Sequence, residues 1–238
     1  MRHYKILSTK KISPALSLDA KQKGFEIVEK EFIQSEFLPI AERLSKTVTN
    51  LDKEAHVVFT SANAVEALVL FPREQARTSK WKIFCLSGKT LQEVTARFSE
   101  AQVVATARNA SQLADEILRR KVDNILFFCG NKRRDDLPDK LTQAGITVRE
   151  EILYITHENP ERVTALYDAI LFYSPSGVES FFSVNKIYGN TRCFAIGKTT
   201  ESALHEAGIE NVLVSDEPDV ETMLETVMHY FNLNQTKG

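Results

Sequence analysis

The chain has 238 residues, 43% of them apolar and 26% charged, and a net charge of −2. That length suits one large domain or two smaller ones with real cores, and the near-balanced charge excludes a global field that would recruit nucleic acid or an anionic membrane. No run of about 18 apolar residues is present to span a bilayer, and an odd set of cysteines (Cys85, Cys129, Cys193) without CxxC spacing suggests neither a disulfide framework nor a metal centre.

The first apolar run, YKIL at 4–7, follows a basic N-terminus whose apolar stretch is too short for a secretory signal, so the chain reads as cytoplasmic. FEIVEKEFIQ at 25–34 follows Gly24 and looks too long for one domain's strand. HVVFT at 56–60 runs into Ser61-Ala62-Asn63, and WKIFCL at 81–86 into Gly88-Lys89-Thr90. QVVAT at 102–106 precedes SQLADEILRR, which has helical spacing. NILFFC at 124–129 ends on Gly130-Asn131-Lys132-Arg133-Arg134. ITVREEILYI at 146–155 again follows a glycine, Gly145. AILFY at 169–173 opens onto Ser174-Pro175-Ser176-Gly177, and CFAIG at 193–197 onto Lys198-Thr199-Thr200. NVLVS at 211–215 precedes the helically spaced TMLETVMHYF.

Several of these runs are unbroken rather than alternating, the pattern of strands buried on both faces of a parallel sheet. Strand alternating with helix predicts an α/β fold: open parallel sheets flanked by helices. An internal repeat divides it. Residues 56–71 resemble 169–182, residues 82–94 resemble 193–204, and more loosely 4–33 resemble 124–154. The three segments occur in the same order in both halves, which predicts two similar domains. If the long segments after Gly24 and Gly145 cross between them, the first domain is discontinuous, 1–33 plus 158–238, with 36–154 inserted.

Chemistry concentrates where strands hand over to helices. The two GKT triplets are not P-loops, because the required earlier glycines are replaced by Ile83 and Arg192. Helix N-termini nevertheless present free N–H groups and a positive dipole end. Hydroxyls there cap the helix or face an anion. For one such turn a simple cap is the commoner role. Several turns at the carboxyl ends of parallel strands point to the ligand crevice of an open α/β sheet. Arg134 offers a planar fork for a carboxylate, against a solvated cluster offset by Asp135 and Asp136. Tyr154 is either a packing residue with a wet hydroxyl or a proton donor. Local sequence reveals no nucleophile–base arrangement and no carboxylate pair. An enzyme with these residues would work by positioning and electrostatics.

Together the pieces FTSANAVEAL, FCGNKRRDDLPDKLTQAGITVREEILYIT, FYSPSGVESF and AIGKTTESALHEAGIENVLVSD resemble the uroporphyrinogen-III synthase family in order and spacing. The resemblance implies two similar α/β domains joined by a two-stranded linker, the first assembled from both chain ends. It implies a monomer without metal or organic cofactor that dehydrates and cyclises hydroxymethylbilane, inverting the last pyrrole ring. By the family's motifs, Tyr154 is the candidate proton donor. Ser61, Asn63, Gly130, Asn131, Arg134, Ser174, Ser176, Gly177, Gly197, Thr199 and Thr200 match substrate-binding positions, and Thr156 matches the family's Tyr-x-Thr. Lys10 stands where the family often has Arg, and Leu91 replaces the second Thr in the other copy of the Gly-x-Thr-Thr turn. A non-catalytic tetrapyrrole- or anion-binding regulatory module shares the expected fold; retention of Tyr154, Thr199 and Thr200 argues against it. The missing glycines at 83 and 192 argue against a nucleotide-dependent transferase.

Overall fold

The computed structural model describes residues 3–39, 55–70, 80–99 and 101–235. In chain order the described elements begin with β1 (Tyr4–Ser8), α1 (Pro14–Gln22), β2 (Phe25–Glu29), β3 (Ile33–Phe37), β4 (Ala55–Phe59), α2 (Ala62–Val69), β5 (Trp81–Leu86), α3 (Lys89–Arg97), β6 (Gln102–Ala107) and α4 (Ala110–Arg119). They continue with β7 (Asn124–Gly130), α5 (Asp136–Gln143), β8 (Thr147–Glu158), β9 (Ala169–Phe172), α6 (Pro175–Val184), β10 (Arg192–Ala195), α7 (Lys198–Glu206), β11 (Val212–Val214) and α8 (Val220–Gln235). They divide into two compact units, Met1–Gln34 with His157–Gly238, and Ser35–Thr156.

The first unit holds a five-stranded sheet in the order β11-β10-β9-β1-β2, and every neighbouring pair is parallel. Alternate residues feed opposite faces. Ile6, Leu171 and Phe194 face α8 residues such as Met223, Val227 and Phe231. Leu7, Ile170, Phe172 and Cys193 meet Val178 and Phe181 of α6 and Leu204 of α7. Burial on both faces explains why AILF reads as an unbroken apolar run: all four residues are buried.

The second unit's sheet runs β3-β8-β7-β4-β5-β6. From β8 to β6 each neighbouring pair is parallel. One face packs Val57, Phe59 and Phe128 against Ala64, Leu68 and Val94 of α2 and α3. The other packs Val58, Phe84 and Phe127 against Leu113 and Ile117 of α4 and Leu137 and Leu141 of α5. The buried stripe Leu113, Ala114, Ile117 follows from the helical spacing of SQLADEILRR, and Asn109 starts that helix by accepting from the Gln112 N–H at 2.9 Å.

The two sheets have one topology. Setting β4, β5, β6, β7, β8 against β9, β10, β11, β1, β2 superimposes their strand orders, and the paired segments are those of the sequence repeat. Gly24 and Gly145, at φ 89° and 84°, make the same left-handed exit from α1 and α5. The repeat and the compact units are out of phase. Each unit takes its β1–β2 or β7–β8 piece from one copy of the repeat and its β9–β11 or β4–β6 strands from the other, with β3 an addition to the second sheet.

FEIVEKEFIQ is not one long strand. β2 stops at Glu29 and β3 starts at Ile33. Between them Phe32 is fully buried and packs edge-on against Phe181 at 5.1 Å. Asn159 fixes the break, donating from its side chain to Glu31 O at 2.7 Å and from its N–H to Phe32 O at 2.8 Å. By contrast β8 is continuous over 12 residues.

Candidate active site

Open parallel sheets receive ligands at the carboxyl edge, where neighbouring strand connections diverge. In the second unit that point lies between β4 and β7. In the first it lies between β9 and β1.

In the second unit the register of β7 on β8 slips after Cys129, so that Gly130 pairs with Tyr154 rather than with Leu153. Leu153 stays buried in the core. Tyr154 is thereby turned across Gly130, and its phenol donates to Ser61 Oγ at 3.0 Å. Ser61 is the N-cap of α2 and also accepts from the Asn63 N–H at 3.2 Å. With two donors on its oxygen, its own hydrogen remains for a further acceptor. Asn63 Nδ2 donates to Ser35 Oγ at 3.1 Å. Asn131 is tied to β8 twice: its N–H donates to Tyr154 O at 3.2 Å, and its Oδ1 accepts from the Thr156 N–H at 2.7 Å. Burial pushes the Tyr154 phenol above its usual pKa, and the Ser61 hydrogen bond only partly offsets that. Ser61, Asn63, Gly130, Asn131 and Tyr154 therefore form one connected group. Arg134 stands apart, exposed and paired with Asp136 at 2.9 Å. Arg133 makes the bidentate pair instead, to Glu150 at 2.6 and 2.7 Å, and also contacts Asp135.

In the first unit Ser174 caps α6, accepting from the Gly177 N–H at 3.1 Å. A Cβ at Gly177 would sit 3.3 Å from Ser174 Oγ. Ser176 lies half-buried in the first turn of α6. Lys10 Nζ lies 5.9 Å from the centre of the Tyr173 ring. Gly197 begins α7 without a side-chain cap and Thr199 is exposed. Thr200 is only 1% exposed, and its hydroxyl has no hydrogen-bond partner among the described residues.

Three further residues at this edge escaped the sequence reading. Ser8 Oγ donates to Lys10 O at 2.6 Å and lies 3.4 Å from Tyr173 Oη. Thr9 donates from its hydroxyl to Leu171 O at 2.8 Å. Tyr173 has its phenol pushed up to about 12 by burial. For Ser8 and Thr9 the signal was the loose third repeat pair, which sets the end of β1 against the Gly130-Asn131 turn of β7.

Among the described residues, no group of His, Cys, Asp and Glu could hold a metal ion, and no helix is long and apolar enough to cross a membrane. Parallel sheets flanked by helices, with hydroxyls, amides and phenols at their carboxyl edges, place the chain in the open α/β class. The comparisons with known proteins narrow this class. A family profile described as uroporphyrinogen-III synthase HemD matches residues 14–225, and the chain belongs to that family. It is 27% identical over 251 aligned residues to the uroporphyrinogen-III synthase of Saccharomyces cerevisiae, with 90% of each chain covered. Its fold matches that of a mutant uroporphyrinogen III synthase from the extremely thermophilic bacterium Thermus thermophilus with a TM-score of 0.70 and 16% identity, covering 98% of this chain and 99% of that one. The uroporphyrinogen-III synthetase of Helicobacter pylori gives a TM-score of 0.63 and 17% identity, covering 97% and 100%. Family membership makes the chain a cyclising lyase of tetrapyrrole biosynthesis.

Proposed function

We propose that this enzyme takes hydroxymethylbilane, expels the terminal hydroxyl as water, inverts the last pyrrole ring and closes the macrocycle as uroporphyrinogen III. The observation that carries the mechanistic part is the Tyr154–Ser61 contact at 3.0 Å. Loss of water needs a proton delivered to the leaving oxygen. Tyr154 donates into Ser61, and the hydrogen of Ser61 remains for that oxygen. Because burial raises the Tyr154 pKa, the phenol stays protonated through the physiological range, and complete ionisation is disfavoured. The pair therefore acts mainly by hydrogen bonding to the departing oxygen, while the proton that completes the water is balanced by the one the pyrrole carbon releases on ring closure; the contribution lies near the lower end of the roughly 100- to 10,000-fold available to a general acid.

The remaining candidates hold the acetate and propionate carboxylates. Asn63, Asn131 and Arg134 act from the second unit, and Lys10, Ser174, Ser176, Gly177, Gly197, Thr199 and Thr200 from the first. Helix N-termini supply N–H groups without a large net positive charge, which accords with a chain of net charge −2. For Arg134 the role requires exchange of Asp136 for a substrate carboxylate. We extend the proposal to a cytoplasmic monomer that needs neither metal nor organic cofactor. The non-catalytic binding module draws no support from the relatives, which are named as synthases.

The test is direct. Freshly prepared hydroxymethylbilane closes unaided to the symmetric type I isomer. With the protein present, chromatography is expected to show type III dominating, with or without chelator. Product that stays type I at high enzyme concentration overturns the proposal.

A further inference from the structure

We infer that Gly130 is a positioning residue: its missing side chain is the seat in which the Tyr154 ring lies, and it serves the reaction through Tyr154 rather than by touching substrate. The inference deepens the activity proposed above and rests on it for its kinetic arm. A Cβ built at Gly130 falls 2.4 Å from Tyr154 Cζ, 2.6 Å from Cε2 and 2.9 Å from Oη, and these are its three nearest neighbours. All three belong to the Tyr154 side chain. Nor is glycine demanded by backbone conformation, since Gly130 is not among the glycines with positive φ. The position is conformationally ordinary and sterically closed.

The local backbone shows how the seat is made. The register slip after Cys129 brings Tyr154 opposite Gly130, and the Asn131 N–H holds Tyr154 O at 3.2 Å. The ring thus crosses the end of β7 at the one place without a Cβ. Relieving a contact of 2.4 Å to the 3.4 Å of ordinary packing moves the ring by about 1 Å. The phenol then loses its 3.0 Å bond to Ser61, because separations beyond about 3.5 Å no longer count as hydrogen bonds. Gly130 and Ser61 therefore both fix the position of the same phenol.

The test is a double-mutant cycle with two readouts. Gly130→Ala, Tyr154→Ala and the double variant are compared with wild type by thermal melting, without ligand. Gly130→Ala is expected to lower the midpoint by several degrees in the wild-type background and to leave it nearly unchanged with Tyr154→Ala, where the space is vacant. Equal losses in both backgrounds overturn the inference. If Gly130→Ala alone fails to fold, a folded double variant supports the inference, and an unfolded one overturns it. In turnover of hydroxymethylbilane, Gly130→Ala is expected to reduce kcat about as far as Tyr154→Phe does, with KM little changed, and to cost little more when added to Tyr154→Phe. A raised KM with kcat retained would assign Gly130 to substrate contact instead. A wild type that forms no type III product defeats the proposed activity, while the melting cycle still decides the role of Gly130.

Discussion

Thr200 sets stability against function at a single hydroxyl. It is the third residue of α7, 1% exposed, with its N–H donating to Gly197 O at 3.0 Å and its Oγ1 lacking any protein partner among the described residues. A buried hydroxyl without a partner costs about 1–3 kcal/mol, whereas an isosteric apolar group at the same place carries no such penalty. Thr200→Val keeps the branched shape and removes only the hydroxyl. It is therefore expected to stabilise the first unit by about 1–2 kcal/mol, a rise of a few degrees in its melting midpoint. If the hydroxyl is held for a substrate carboxylate, the same substitution raises KM with kcat nearly constant. Because the residue is so deeply covered, the expected rise is about tenfold or less, equivalent to about 1.4 kcal/mol. Differential scanning calorimetry and steady-state kinetics on the two proteins provide both numbers. A fall in the midpoint would refute the stability argument, since it would mean that the hydroxyl is bonded in the folded chain. An unchanged KM would remove Thr200 from the substrate-binding group.

Tyr154→Phe keeps the ring in its seat and deletes the bond to Ser61. It is expected to slow formation of type III product by about 100-fold while costing about 1 kcal/mol or less of stability; full activity in the same isomer assay removes the phenol from the mechanism. Since the folded pKa of Tyr154 lies above 10.0, its contribution to the rate should persist through neutral and mildly alkaline pH, and a pH–rate profile losing it near neutrality contradicts that. Burial also raises Cys85 from 9.0 to about 11, Cys129 and Cys193 to about 12, and Tyr173 from 10.0 to about 12. These groups hold their protons more tightly folded than unfolded, so their stabilisation is complete below pH 9 and declines as pH rises toward 11–12. Urea midpoints measured across that window should fall, and a curve flat from pH 9 to 11 defeats the argument.

Parallel α/β character was legible because the central strands are buried on both faces. NILFFC and AILF are unbroken apolar runs for that reason, while the edge strands β6 and β11 are only half-buried and carried a weaker signal. The repeat made two similar domains legible, and the strand orders of the two sheets share one topology. The break at Lys30–Phe32 was not legible. Phe32 continues the apolar spacing of the strand, and only its tertiary contact with Phe181 turns the chain inward. Ser61 and Ser174 were readable as caps, and both cap. The Gly130–Tyr154 contact depends on a one-residue slip between neighbouring strands, which no local pattern encodes. Likewise Arg133 and Arg134 are indistinguishable in sequence, and Glu150, across the neighbouring strand, singles out Arg133. Ser8 and Tyr173 meet across 165 residues of chain, beyond the reach of any motif.

The exchange of strands between copies of the repeat also governs the order of events on the ribosome. β1, α1 and β2 emerge first, yet β1 must wait for β9, and the bond from the Lys5 N–H to Asp168 bridges 163 residues. The intervening unit needs only Ser35–Thr156 and has all its strands as soon as β8 has left the exit tunnel. At that stage every strand of the second unit is available, whereas β1 and β2 still lack β9, and Ile6 and Leu7 lack the helices that cover them. Sheet completion across so long a separation is slow, and an open apolar edge attracts other chains while it waits. Synthesis speed and chaperone occupancy while residues 157–238 emerge therefore bear on how long that edge stays open.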